Sequence, residues 1–146
     1  AEKEMEPPVF SEKLLGYGIA RVDEAIAKSA AFTALHLNVK AIAAMTQSGS
    51  TALWTSRIST QVPIYALTSE VDTRRKVSLF RGVYPVNFRP SSNDRDQLLA
   101  EAEDELRRRG AVRNGDLILL TIGEPIGKPG GTNTMKIVRV GERKKI

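Results

Sequence analysis

Short apolar runs alternate with longer stretches of helical period along this chain, and the alternation predicts most of its elements. Arg21 to Leu37 places Val22, Ala25, Ile26, Ala30, Thr33, Ala34 and Leu37 on one face, with Asp23 and Glu24 in the first turn and an end near Asn38. Lys40–Met45 is then a first apolar run, followed by a helix from about Ser50 to Ser59. Pro63–Leu67 and a helix from Ser69 to Phe80 repeat the unit, and Gly82–Val86 with the long helix Asp94–Arg109 repeats it again. Gly110 closes that helix, Asn114-Gly115 turns the chain into the run Asp116–Thr121, and a Gly-rich loop leads to a last run, Thr134–Val140.

Runs this short and this continuous read as strands buried on both faces, the habit of parallel sheets. Repeated strand–helix units impose right-handed crossovers and helices on both sheet faces, so the expected class is α/β, a three-layer α/β/α sandwich. No helix separates the last two runs, so the final strand is expected antiparallel to its neighbour. Residues 1–20, with Pro7-Pro8, Gly16 and Gly18, show no sustained period and read as a linker or arm. Residues 21–146 form the domain proper.

At 146 residues the chain has room for one core, and its 41% hydrophobic and 27% charged content is that of a globular protein. No apolar run reaches the roughly 20 residues that span a bilayer, and the charged start Ala1-Glu2-Lys3-Glu4 does not read as a signal peptide, so a cytoplasmic place is expected, without membrane partners. With no cysteine and one histidine, disulfides, thiolate chemistry and zinc sites have little to draw on. The net charge of +5 raises nucleic acid as a partner. The basic residues are spread over helix faces and the tail Arg143-Lys144-Lys145 rather than along an aromatic-studded stripe, so no nucleic-acid partner is expected.

The segment Met45-Thr46-Gln47-Ser48-Gly49-Ser50-Thr51-Ala52 ends an apolar run in a hydroxyl cluster and opens a helix. Free N–H groups at such a helix start favour an anion, and Thr46, Ser48, Ser50 and Thr51 add hydroxyl donors, so a phosphate group fits the turn. A plain Ser/Thr helix cap is the structural alternative. In an open parallel sheet ligands gather beyond the carboxyl ends of strands. If the first strand is central and the fourth lies beside it, the loop from Gly123 to Thr132 faces that turn across one crevice, with Lys128 as a mobile charge. Gly127-Lys128 does not make a nucleotide P-loop, since Pro129 stands where Ser or Thr would hold Mg²⁺ and a strand follows instead of a helix. His36, near a helix end, reads as structural, Trp54 as core or subunit contact, and Arg81 as an interface or anion group.

Four motifs, Val22-Asp23-Glu24-Ala25-Ile26-Ala27, Met45 to Ala52, Leu79-Phe80-Arg81-Gly82-Val83-Tyr84-Pro85-Val86 and Gly130-Gly131-Thr132-Asn133-Thr134, stand in the order and spacing of one family. The chain resembles the C-terminal domain of pyruvate kinase from about residue 20 to 140. The resemblance implies a five-stranded mixed sheet of order 3-2-1-4-5 with the last strand antiparallel, an allosteric effector site and a share of a tetramer interface. It implies that the parent moves the phosphoryl group of phosphoenolpyruvate to ADP in glycolysis, giving pyruvate and ATP, with Mg²⁺ and K⁺ as parent cofactors. The catalytic barrel is not in this chain, so the resemblance leaves it no catalytic residue, metal site or cofactor and implies that the isolated domain is inactive.

The resemblance further implies a phosphate-binding loop at Thr46, Gln47, Ser48, Gly49, Ser50 and Thr51 and an effector loop over Gly123–Gly131, including Gly127, Lys128, Gly130 and Gly131. Where fructose-1,6-bisphosphate-activated members carry an arginine in the long helix, this chain carries Leu98. That favours an effector with one phosphate, AMP or a sugar monophosphate such as glucose 6-phosphate or ribose 5-phosphate. A freestanding phosphometabolite-binding module is the alternative reading, and a basic nucleic-acid binder would show itself by strongly salt-dependent retention of DNA or RNA.

Overall fold

The structure, a computed structural model, describes residues 21–58, 61–124 and 131–142. The arm assigned to residues 1–20 and the basic tail lie outside the described residues. The elements are α1 (Val22–Leu37), β1 (Ala41–Met45), α2 (Ser50–Ile58), β2 (Ile64–Thr68), α3 (Val71–Val77), β3 (Val83–Asn87), α4 (Arg95–Arg108), β4 (Leu117–Ile122) and β5 (Thr134–Arg139).

The five strands form one sheet in the order β3-β2-β1-β4-β5. β1 pairs in parallel with β2 (Ile42 opposite Ile64) and with β4 (Ala43 opposite Leu120), β3 runs parallel to β2, and β5 runs antiparallel to β4 (Leu119 opposite Ile137). β1 and β4 are apolar along their length and buried on both sides because helices cover both faces. Alternate residues divide between two cores. Ile42, Ala44, Ile64, Ala66 and Leu119 meet Ala30 and Ala34 of α1, Ala52 of α2 and Val77 of α3. On the other face Ala41, Ala43, Leu67, Val86, Ile118 and Leu120 meet Leu98, Leu99, Ala102 and Leu106 of α4. This is the three-layer α/β/α arrangement that the sequence predicts.

Two local expectations are corrected. Val22 and Leu37, placed on the buried face of α1, are largely exposed, and the helix instead buries Ala27, Ala30, Ala31 and Ala34 together with Asp23 and Glu24. An all-alanine stripe lets the helix axis approach the sheet closely, which leaves the larger Phe32, Leu35 and Leu37 on the outside. The third helix is shorter than Ser69–Phe80. Glu70 stays extended at its N-cap, its N–H donating to Thr68 Oγ1 at 3.1 Å, and beyond Val77 the chain tightens into bonds from Leu79 N–H to Lys76 O and from Phe80 N–H to Val77 O, both spanning three residues.

Candidate functional site

At the carboxyl edge of the sheet, the ends of β1, β2 and β4 and the segment after β3 enclose a cavity of about 600 Å³. Topology puts it there. β1 has β2 on one side and β4 on the other, so the chain leaves β1 in one direction and returns to its opposite flank only after two further strands, parting the loops above the β1–β4 pair.

Thr46 begins the turn after β1, its N–H donating to Leu67 O at 3.2 Å. Its hydroxyl accepts from Gly49 N–H at 2.8 Å, and the Ser48 hydroxyl accepts from Ser50 N–H at 3.3 Å while lying 2.9 Å from Ser50 Oγ. The Gln47 carbonyl accepts from the Thr73 hydroxyl, which ties the turn to α3. Gly49 O then accepts from Leu53 N–H at 3.0 Å, so Gly49 is the N-cap of α2. A glycine offers no side chain to the first helical turn. The amides of Thr51 and Ala52, like those of Gln47 and Ser48, therefore have no acceptor among the described residues.

The hydroxyls divide their labour. That of Thr46 accepts a bond and keeps its proton, while the Ser48–Ser50 pair and the Thr51–Thr132 pair, the latter 2.7 Å apart, each leave one proton to give. Thr46, Gln47, Ser48 and Thr51 line the cavity; Gly49 and Ser50 shape the turn behind it. From the opposite loop Gly123, Gly131 and Thr132 line the same cavity, so the two segments singled out in the sequence meet at one crevice. Gly127, Lys128 and Gly130 lie outside the described residues. Gly123 is needed for this meeting, because a Cβ there would stand 2.5 Å from Gly131 O.

The remaining walls were not anticipated, apart from Leu98, which is buried and lines the cavity as the long-helix position singled out above. Met45, Leu67, Phe88 and Ile122 complete an apolar floor, and the charged lining groups among the described residues are Arg21, Asp23, which is ion-paired with it, and Glu70. Asp23 had read only as a favourable charge in a helix first turn; that the start of α1 stands over the β4–β5 connection is a tertiary fact with no local signal. Pro90 and Asn93 also line the cavity, and their segment is fastened by Glu101, which accepts from the Gln97 side-chain amide at 2.9 Å, from Ser91 N–H at 2.9 Å and from the Ser91 hydroxyl. The bonds from Gln97 and then Ser91 hold the Glu101 carboxyl below its ordinary range.

Other candidates fall elsewhere. His36 is exposed and stacked on Phe32 with ring centroids 4.2 Å apart, Trp54 is half-buried with the Arg57 guanidinium 5.2 Å from its ring centre, and Arg81 is exposed away from the cavity. Among the described residues no group of three or more His, Asp or Glu is placed to hold a metal ion, and no helix is long and apolar enough to cross a membrane.

Comparison with known proteins gives the family of this fold. The family model described as pyruvate kinase, alpha/beta domain, matches residues 24–138. The chain belongs to that family. It is 45% identical over 120 residues to a pyruvate kinase of Buchnera aphidicola and 45% identical over 120 residues to pyruvate kinase II of Salmonella typhimurium, covering 82% of this chain and 25% of each relative. With a pyruvate kinase of Staphylococcus aureus it shares 46% identity over 118 residues, 81% of this chain and 20% of that enzyme. The chain thus spans a quarter or less of the length of these relatives. The matched span takes in all five strands apart from the last residue of β5, and the two segments that meet at the crevice fall inside it.

Proposed function

We propose that this chain is the regulatory domain of a pyruvate kinase and binds a phosphorylated effector in the crevice between the Thr46–Thr51 turn and the Gly123–Thr132 loop. The observation that carries the reading is the unfilled first turn of α2: a glycine N-cap leaves the Thr51 amide without an acceptor among the described residues, beside three hydroxyl protons, in the lining of a cavity of about 600 Å³. A phosphate monoester fills those donors. AMP, glucose 6-phosphate and ribose 5-phosphate are the candidate effectors.

In the whole enzyme the phosphoryl group passes from phosphoenolpyruvate to ADP, with Mg²⁺ and K⁺, at a centre elsewhere in the protein. The domain acts at a distance. An effector that binds one arrangement of a tetramer more tightly shifts the population toward it, and the coupling equals the difference in its affinity for the two arrangements. Exposed Phe32, Leu35 and Leu37 on α1 and Ile58 on the neighbouring α2 supply apolar surface for a contact between subunits. Calorimetric titration tests the site: glucose 6-phosphate or AMP is expected to bind the chain, and the double variant T46A/S48A to lose that binding. Equal affinity in the double variant refutes the assignment.

A further inference from the structure

The Thr46–Thr51 turn accounts for one end of the crevice, and the rest of the cavity has a different chemistry. Its floor is apolar, from Leu67, Phe88, Leu98 and Ile122, and two carboxylates, Asp23 and Glu70, stand in its walls. Asp23 is the unusual one. Its side chain is only 7% exposed; Oδ2 is held 2.5 Å from the Arg21 guanidinium, while Oδ1 is buried and has no hydrogen-bond partner among the described residues. The position of Asp23 in the first turn of α1 explains a negative charge but not a missing donor. A buried carboxylate oxygen without a donor is costly, and only a hydrogen-bond donor relieves it.

The carboxylate also stands close to the phosphate end. A Cβ built on Gly131 would lie 3.7 Å from Asp23 Oδ2, and the next residue, Thr132, is the one bonded to Thr51 in the first turn of α2. Gly131 and Thr132 thus stand between the first turn of α2 and Asp23, and both line the cavity with them.

We infer that Asp23 is the specificity-determining residue of the crevice: Oδ1 accepts a hydrogen bond from a hydroxyl of a phosphate monoester held by the Thr46–Thr51 turn, and its charge rejects a second phosphate. The inference rests on the phosphoeffector reading of the same crevice and deepens it by naming the ligand class, a hydroxyl-bearing monophosphate. The chemistry selects this class twice. Oδ1 welcomes an O–H group of a sugar and the apolar floor accepts the C–H face of its ring, while Oδ2 already engages the Arg21 guanidinium, the one lining cation among the described residues that would otherwise draw a second anion.

The test is calorimetric titration of the chain and of the Asp23→Asn variant with inorganic phosphate, glucose 6-phosphate, AMP and fructose 1,6-bisphosphate. The wild-type chain is expected to bind a monophosphate at least about tenfold more tightly than inorganic phosphate or the bisphosphate, in keeping with a charge-assisted hydrogen bond. Asp23→Asn is expected to erase most of that advantage over inorganic phosphate, to leave phosphate itself within about twofold, and to improve the bisphosphate. Glucose 6-phosphate and AMP distinguish a free sugar from a nucleoside as the source of the hydroxyl. If Asp23→Asn does not fold by its thermal melt, Asp23→Ser reads the same ratio with a hydrogen-bonding group but no charge. A monophosphate advantage unchanged in the folded variant overturns the role of Asp23 while leaving the phosphate site standing. Absence of any phosphate binding, or binding that T46A/S48A does not weaken, overturns the phosphate site itself.

Discussion

The hydroxyl of Thr51, in the first turn of α2, lies 2.7 Å from that of Thr132, 81 residues further along the chain. Thr51 is 2% and Thr132 4% exposed, so this bond is made away from water, and it joins the connection that enters β5 to the first turn of α2, whose Thr51 lines the crevice. Asn133 continues the join, its N–H donating to Ile122 O at 3.0 Å and its side chain exchanging bonds with the Glu124 backbone. One end of the Gly-rich loop is thereby fixed against the site.

The Thr51–Thr132 pair predicts a characteristic non-additivity. Thr132→Val alone strands a buried hydroxyl on Thr51 and is expected to cost about 1–3 kcal/mol in urea unfolding, whereas Thr51→Val with Thr132→Val removes both polar groups and restores the shape. The double variant should therefore be less destabilised than the sum of the two single variants, by about 1 kcal/mol in a double-mutant cycle. Strict additivity would show that the two hydroxyls are satisfied independently.

Most of the fold was legible because buried strands and amphipathic helices leave local marks. The run Ala41-Ile42-Ala43-Ala44-Met45 is too apolar to be anything but sheet interior, and Asn38, left-handed at φ 60°, ends α1 where the sequence breaks its period. Strand order was not local information; it came from the family resemblance, and with it the meeting of residues near Thr51 with residues near Thr132. The face of α1 was misjudged at Val22 and Leu37 because periodicity registers apolar size, while the packing of α1 selected alanines for close approach. Asp23 and the apolar floor escaped for a related reason. What a first-turn carboxylate or a Phe88 touches is decided by elements remote in sequence, and no spacing along the chain encodes it.

Glu101 supplies a pH signature. Its carboxyl is held below the ordinary 4.5 first by the Gln97 amide and then by Ser91, bonds that fasten the segment carrying Pro90 and Asn93 along the crevice. A carboxyl lowered in the folded state adds stability above its unfolded value and loses it as pH falls through the lowered folded value. Gln97→Ala is expected to raise the Glu101 value toward 4.5 in a carboxyl-carbon NMR titration. The stability deficit of the variant should be full at neutral pH and fade as pH falls through the lowered folded value of Glu101 and its carboxyl is protonated. A deficit that persists unchanged into acid would mean that Gln97 acts by packing and not through Glu101.

Gly49 decides where α2 begins. Its φ of 88° lies in the left-handed region, and a Cβ there would stand 3.0 Å from Val77 Cγ1, a side chain wholly buried between α3 and the sheet with little room to yield. Gly49→Ala therefore meets backbone strain and a core contact together, and is expected to lower stability by about 1–3 kcal/mol in denaturant unfolding. Relief would come from rotating the turn, which shifts the Thr51 amide relative to Thr46 and Ser48, the residues that line the crevice with it. Binding of glucose 6-phosphate or AMP, measured well below the melting temperature of the variant, should then be lost even though the chain is folded. If affinity survived while stability fell, the open first turn of α2 would not be what holds the phosphate.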